Sequence, residues 1–485
     1  MKSSILRELL LYRYRYVVGY ALFVVFLFGI LLIDIGNVPG GISQSEMASS
    51  VASNSLNPLS PLATDVINLP YHLLQKLSIG LVGLSPLGIR LPSLILAFIA
   101  AIVLAFTLNQ WFRKGIAILT LLLGTASVPF ISMGRSGTAA VMYMLLLLII
   151  LLAAVKLTTM GKRTFIWKLV VTAAGVLLFY MPLGIYAVLA LLIAGIFHPH
   201  VRYQIKRTRP WQFAALVLTA GILLTPLILA GIHDANTVQV LFGVDELKEK
   251  LTLSSIAASI VSIAKTLFLF NRPFTGEVVA PYFNLIFMFL IAFGLARAII
   301  DRHSARSYLL LIWLAMSIPL LILNPSQFAL LFVPCLILLA VGLETFMREW
   351  YQLFPRNPYA RLAALVPIFL ITLGLVTIAG TRYFYGYYYT DTSHTYHQGL
   401  VAVRETVKPF VPTQLVVAPD QVAFYDILRS KYPELSVVGP ADAKTSREQV
   451  VLARSGFSRP DIPSEIVTSH LANDSVILRV YGAQR

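Results

Sequence analysis

Charge is scarce in this chain. Asp, Glu, Lys and Arg make up 12% of its 485 residues, while 58% are hydrophobic, and the mean hydropathy is +0.79. Soluble domains carry about 25% charged residues, so most of this chain is solvated by lipid. Cysteine is all but absent. Cys335 alone, inside an apolar run, excludes an intramolecular disulfide and gives no reading of redox compartment. Acidic residues are outnumbered, 22 against 38 basic, for a formal net charge of +16. That excess does not point to nucleic acid, because many basic residues fall in short loops between apolar spans, as the positive-inside rule expects. There is no P-loop, no Gly-x-Gly-x-x-Gly opening a helix, no His-Glu-x-x-His and no Gly-x-Ser-x-Gly, which removes the nucleotide, metalloprotease and serine-hydrolase signatures. Internal repeats and low-complexity tracts are missing. So is an A-x-A-like cleavage site in the first span, which therefore reads as a retained anchor.

What is present is a series of apolar runs near the ~20 residues a helix needs to cross a bilayer. They lie at 16–33, 90–108, 115–131, 137–155, 169–180, 183–197, 211–231, 281–298, 308–323, 328–346 and 363–380. The fold class expected is an α-helical polytopic membrane protein of about 11 transmembrane helices with a small C-terminal α/β soluble domain. One set of loops holds clusters such as Arg113-Lys114, Lys162-Arg163, Arg202–Arg209 and Arg302–Arg306. The alternate short turns hold only Arg135. This alternation puts the N-terminus in the cytoplasm, with the 34–90 and 231–280 loops and the C-terminal domain outside the membrane, most naturally the plasma membrane. It requires 169–197 to break into two short helices at Met181-Pro182-Leu183-Gly184. Residues 1–383 form the membrane domain and 384–485 the external domain. Within the latter, QLVVAP, LSVVGP, QVVLARSG and SVILRVYG read as strands and QVAFYDILRSKY as a helix.

The 34–90 loop is much longer than usual interhelical connections, and such loops are functional or disordered. It carries a Gly40-Gly41 bend, then Glu46, then an amphipathic run over about 66–84 that suits a membrane surface. External polar residues near the membrane are Glu46, Asp65, His72, Lys76, Arg90, Arg135, Arg272, Glu277 and Arg382. Basic side chains at headgroup depth either bind a phosphate or snorkel as anchors. Arg135 stands out as a charge tucked between spans. Glu46 has two readings. A carboxylate desolvated at a membrane cavity suits a base, and a Glu in the first turn of a helix suits the helix dipole. Asp34 reads as a solvated helix end.

The layout resembles the GT-C superfamily of glycosyltransferases, in the branch of protein O-mannosyltransferases and lipid A aminoarabinose transferases. The matching residues are Pro39-Gly40, Ser45-Glu46, Pro70-Tyr71 and LVGLSPLGIRLPSLI with Leu81, Gly83, Ser85, Arg90, Leu91, Pro92 and Ser93. Where the family has an Asp-Glu pair this chain has Ser45-Glu46, and the loop after the third span offers Arg135 but no carboxylate. The resemblance implies transfer of a sugar from a polyprenyl-phosphate carrier to a lipid, glycan or protein acceptor on the outer face. Glu46 would be the catalytic base, and Arg135, Arg90, Tyr71, His72, Lys76 and Arg272 would bind substrate. The resemblance implies no particular cofactor, and a divalent metal is compatible with it. A catalytically degenerate scaffold that binds a glycolipid or a partner, and a lipid or solute transporter, remain open alternatives.

Overall fold

The computed structural model describes residues 14–36, 41–56, 66–158, 164–244, 252–268, 283–324, 327–353, 359, 363, 365–389, 396–397, 399–408, 410–443, 450–453, 463–468 and 476–481. Long apolar runs in lipid satisfy their backbone only as helices, and helices dominate. In chain order they begin with α1 (Arg15–Leu32). After it come the two-residue strand β1 (Ile42–Ser43), α2 (Gln44–Ser55) and α3 (Leu69–Val82). The membrane helices continue with α4 (Pro86–Trp111), α5 (Lys114–Ala126), α6 (Val128–Arg135), α7 (Ala140–Thr158), α8 (Thr164–Leu178) and α9 (Gly184–Phe197). Then follow α10 (Pro199–Lys206), α11 (Pro210–His233), α12 (Ala235–Phe242), α13 (Leu253–Phe268), α14 (Leu285–Ile300), α15 (Ala305–Leu323), α16 (Ala329–Leu353) and α17 (Leu365–Tyr389). Among the described residues, five helices alone are long and apolar enough to cross a membrane. They are α4, α7, α11, α15 and α16, and two bent pairs, α5–α6 and α9–α10, raise the number to seven.

Burial sorts these helices. α7 and α16 are buried over 78% of their apolar windows and form the centre of the bundle, whereas α11 is buried over 6% and lines its outside. α14 crosses α16 at two facing glycines. A Cβ on Gly294 would lie 2.0 Å from the Leu338 carbonyl oxygen, and one on Gly342 would lie 2.0 Å from that of Leu290. Small residues at such a crossing let two backbones touch where lipid gives no hydrophobic drive.

Two helix ends follow from single residues. α8 stops before Met181, Leu183 adopts a left-handed φ of 61°, and Gly184 sits where a Cβ would strike the Leu178 carbonyl oxygen at 2.0 Å. The chain thus breaks at 181–184. α5 and α6 meet at Ser127 with a 60° bend. Pro129 follows, and it cannot donate to a preceding turn. Arg135 is accordingly the last residue of α6, not part of a bare turn.

α3 is amphipathic with its polar side inward. Tyr71, His72, Gln75 and Ser78 are buried, while Leu73, Leu77 and Leu81 are 47%, 61% and 78% exposed. Their four-residue spacing makes one outward stripe, the arrangement of a helix lying in a membrane surface.

After α17 come β2 (Tyr396–His397), α18 (Gly399–Thr406), β3 (Thr413–Val416), α19 (Val422–Asp426), β4 (Leu435–Val438), β5 (Val450–Ala453), β6 (Glu465–Thr468) and β7 (Val476–Tyr481). The five-stranded sheet has the order β4-β3-β5-β7-β6. β3 is parallel to β4 and β5, and β7 is antiparallel to β5 and β6. The C-terminal segment also joins the first loop. β1 pairs antiparallel with β2, Ile42 opposite His397 and Ser43 opposite Tyr396. Ile42, Met47 and Ile89 share one apolar cluster with Leu400, Val403, Phe424 and Leu452.

Candidate functional site

The first loop is held by a buried ion pair. Glu46 opens α2 in a capping box: its backbone N–H donates to Ser43 Oγ at 3.2 Å, and the Ser43 N–H donates to Glu46 Oε2 at 3.0 Å. The sequence Ser-x-x-Glu is the signature of this cap. Arg90, in the first turns of α4, grips the same carboxylate with Nε on Oε1 at 2.7 Å and Nη2 on Oε2 at 3.0 Å. The Gly137 N–H adds a bond to Oε1 at 2.8 Å. Each carboxylate oxygen thus takes two donors, and both side chains are at most 1% exposed. Burial alone would push the Glu46 carboxyl up. The Arg90 guanidinium and the N–H groups of Ser43 and Gly137 outweigh it and hold the pKa below its ordinary value. That is the opposite direction from the one a base at neutral pH needs. The second sequence reading, an acidic residue in the first turn of a helix, is the geometry found.

Arg90 also donates through Nη1 to the Ile35 carbonyl at 3.0 Å and through Nη2 to the Gly41 carbonyl. Arg135 acts one turn earlier. Its Nη1 donates to the carbonyls of Ile30, Leu31 and Ile33 at 3.1, 3.1 and 2.7 Å, closing the C-terminal end of α1, where a cation suits the helix dipole. Its guanidinium lies 5.4 Å from the Tyr383 ring centroid and 5.0 Å from that of Phe384, both on α17. Arg135 is fully buried. Between the two gripped carbonyls sits Asp34, exposed and in a left-handed conformation with φ 52°. Asp tolerates this region better than most residues.

The remaining candidates extend the same network. Tyr71 Oη bonds Ser93 Oγ at 2.7 Å, and burial pushes its phenol well up. His72 Nδ1 is 3.0 Å from Ser53 Oγ. Lys76, half-buried, donates to the carbonyls of Asn54 and Leu56. Asp65, Arg272 and Glu277 lie outside the described residues, as does the Arg382 side chain. Sequence reasoning missed Gln75, which is fully buried. Its Oε1 accepts from Ser49 and Ser53 at 2.7 and 2.6 Å, and its Nε2 donates to the carbonyls of Ile89 and Gly137 at 3.2 and 3.0 Å. The clue was present in the chain: Tyr71, His72, Gln75 and Ser78 form a polar stripe at helical spacing beside a leucine stripe. Gly137 completes the joint, since a Cβ there would meet Ile89 Cγ2 at 2.4 Å. Among the described residues no group of three or more His, Cys, Asp or Glu gathers as a metal site.

The sequence profile of the dolichyl-phosphate-mannose-protein mannosyltransferase family matches residues 70–228. The fold is similar to ArnT from Cupriavidus metallidurans bound to undecaprenyl phosphate, with a TM-score of 0.54 at 10% identity, covering 95% of this chain and 97% of that one. It is similar to ArnT from Cupriavidus metallidurans in the apo state, with a TM-score of 0.52 at 12% identity, covering 96% and 97%. A search of curated proteins by sequence gives no match. The class these findings define is that of membrane proteins with the GT-C glycosyltransferase fold.

Proposed function

We propose that this protein transfers a sugar from a polyprenyl-phosphate carrier to a lipid, glycan or protein acceptor at the outer face of the membrane. The observation that carries the reading is the fold, which extends over 95% of the chain in the likeness to a structure bound to undecaprenyl phosphate. In this proposal the chain spans the plasma membrane eleven times, its N-terminus is cytoplasmic, and residues 384–485 form an external α/β domain over the first loop. The donor phosphate is met by Lys76, at the membrane-surface helix α3, and by Arg272. Arg90 and Arg135 act as positioning residues, with Tyr71 and His72 bracing α3.

The carboxylate role passes in this reading from Glu46 to Asp34. Glu46 has its oxygens filled by four donors. Asp34 is exposed at the corner whose flanking carbonyls, Ile33 and Ile35, are held by Arg135 and Arg90. Asp34 also holds a left-handed conformation, φ 52°, and non-glycine residues in that region cluster at functional sites.

A second reading has specific support. Ser45 stands where the resembled family carries an acidic residue, and Glu46 is fully engaged. A scaffold that binds a glycolipid without catalysis fits both facts. The experiment is transfer of a radiolabelled sugar from polyprenyl-phosphate donors by the full chain in liposomes. The transferase reading expects turnover in the parent and its loss in Asp34→Asn with an unchanged melting curve. Carrier binding with no turnover for any donor tried supports the scaffold reading. Turnover that survives Asp34→Asn removes Asp34 from the chemistry.

A further inference from the structure

A large cavity lies remote from this site. It lies between α1, α5, α16 and α17 and has a volume of about 1340 Å³, beyond the roughly 300–1,000 Å³ of small-molecule pockets. Its walls are apolar: Gly19 and Phe23 of α1, Ile118 of α5, and Leu373 and Val376 of α17. Its mouth is charged, with Arg113, Arg306, Glu344 and Arg348. Arg113 follows the far end of α4, and Arg90 is near its start, so the two are roughly 30 Å apart at 1.5 Å per residue. The cavity therefore opens at the opposite end of the bundle from the first loop. It is the end that bears the basic loop clusters.

The chemistry at the mouth is that of an anion site. Glu344 pairs with Arg306 at 3.3 Å, and the Arg306 guanidinium rests 4.7 Å from the Phe112 ring centroid. Arg113 and Arg348, both exposed, add two positive charges, the second beside the Glu349 carboxylate at 3.7 Å. Lys114 brings a third through its Nζ, 5.5 Å from the ring of Tyr16, another lining residue. An apolar slot between membrane helices, capped by a net positive rim, fits a molecule with acyl chains and an anionic phosphate head. We propose that this cavity holds an anionic glycerophospholipid of the leaflet on that side, separate from any carrier handled at the first loop. The acyl chains lie along α1 and α17, and the phosphate accepts from Arg113 and Arg348. Arg306, fixed by Glu344, shapes the mouth.

The test is lipid retention by the intact protein released from detergent in native mass spectrometry, comparing phosphatidylglycerol with phosphatidylcholine of identical chains. Preference for phosphatidylglycerol by about tenfold or more is expected from two to three basic contacts. The exposed double substitution Arg113→Gln/Arg348→Gln is expected to bring retention down to the phosphatidylcholine level without changing the melting curve. Leu373→Trp, which fills the slot, is expected to lower retention of both lipids. Equal retention of the two lipids by the parent overturns the proposal, as does undiminished preference in the double variant. Displacement of bound lipid by an equal concentration of glycerol phosphate overturns it too, because a headgroup alone would then account for the binding.

Discussion

At the scale of single residues, the Glu46–Arg90 pair governs the first loop. A buried pair is weak evidence of net stabilisation, yet removing one partner leaves the other charge uncompensated, at a cost of about 3–5 kcal/mol. Glu46→Gln is therefore expected to lower the melting temperature of the purified protein sharply, whatever it does to turnover. Glu46→Gln with an unchanged melting curve would deny the pair its structural role. The pair also predicts a pH dependence. The Glu46 carboxyl is held below its ordinary value of 4.5 in the folded protein. Its contribution is therefore fully present above that value and is lost as the pH falls through the lower, folded one. The gap in melting temperature between the parent and Glu46→Gln is expected to be constant at neutral pH and to close on acidification below the ordinary value.

At the scale of elements, the α14–α16 crossing gives a prediction with a built-in control. Gly342→Ala places a Cβ on the Leu290 carbonyl and is expected to force the helices apart, costing about 1–3 kcal/mol. Gly374, on α17, has nothing within 4 Å of such a Cβ, so Gly374→Ala is expected to be neutral or to stabilise by up to about 1 kcal/mol through helix propensity. Thermal unfolding in detergent separates the two, and equal effects would mean the crossing is not as tight as described.

This is also the scale at which the sequence was most readable. The apolar runs are covered by helices because lipid leaves the backbone no other choice, and the break at 181–184 follows from its Pro-Leu-Gly chemistry. The strands β3, β4, β5 and β7 coincide with apolar runs bounded by turn residues. β6, the sequence Glu465–Thr468, escaped notice because it is an edge strand, exposed at three of four positions, and so carries no alternation of apolar and polar residues. The site was half legible. Glu46 was readable as a first-turn residue of a helix, but nothing local could show that Arg90, 44 residues on, would close on it, or that Arg135 would reach back to the end of α1. Long-range pairing of that kind has no periodicity to betray it.

At the scale of the whole molecule, the proposed topology can be checked directly. Reporter fusions after Met160 and after Thr390 are expected to report the cytoplasmic and the outer side respectively. Two reports from the same side would overturn the arrangement, with the division of 169–197 the first suspect.

The strand pair that joins Ile42–Ser43 to Tyr396–His397 bears on the order of events during synthesis. A ribosome that has made β1 cannot supply its partner until residues 44 to 397 have been added, which at ~5–20 residues per second takes roughly 20–70 s. Through that interval Ile42, Met47 and Ile89 lack the C-terminal side of their apolar cluster. The cluster that ties the first loop to the C-terminal segment thus closes late, only once Leu400, Val403, Phe424 and Leu452 have been made.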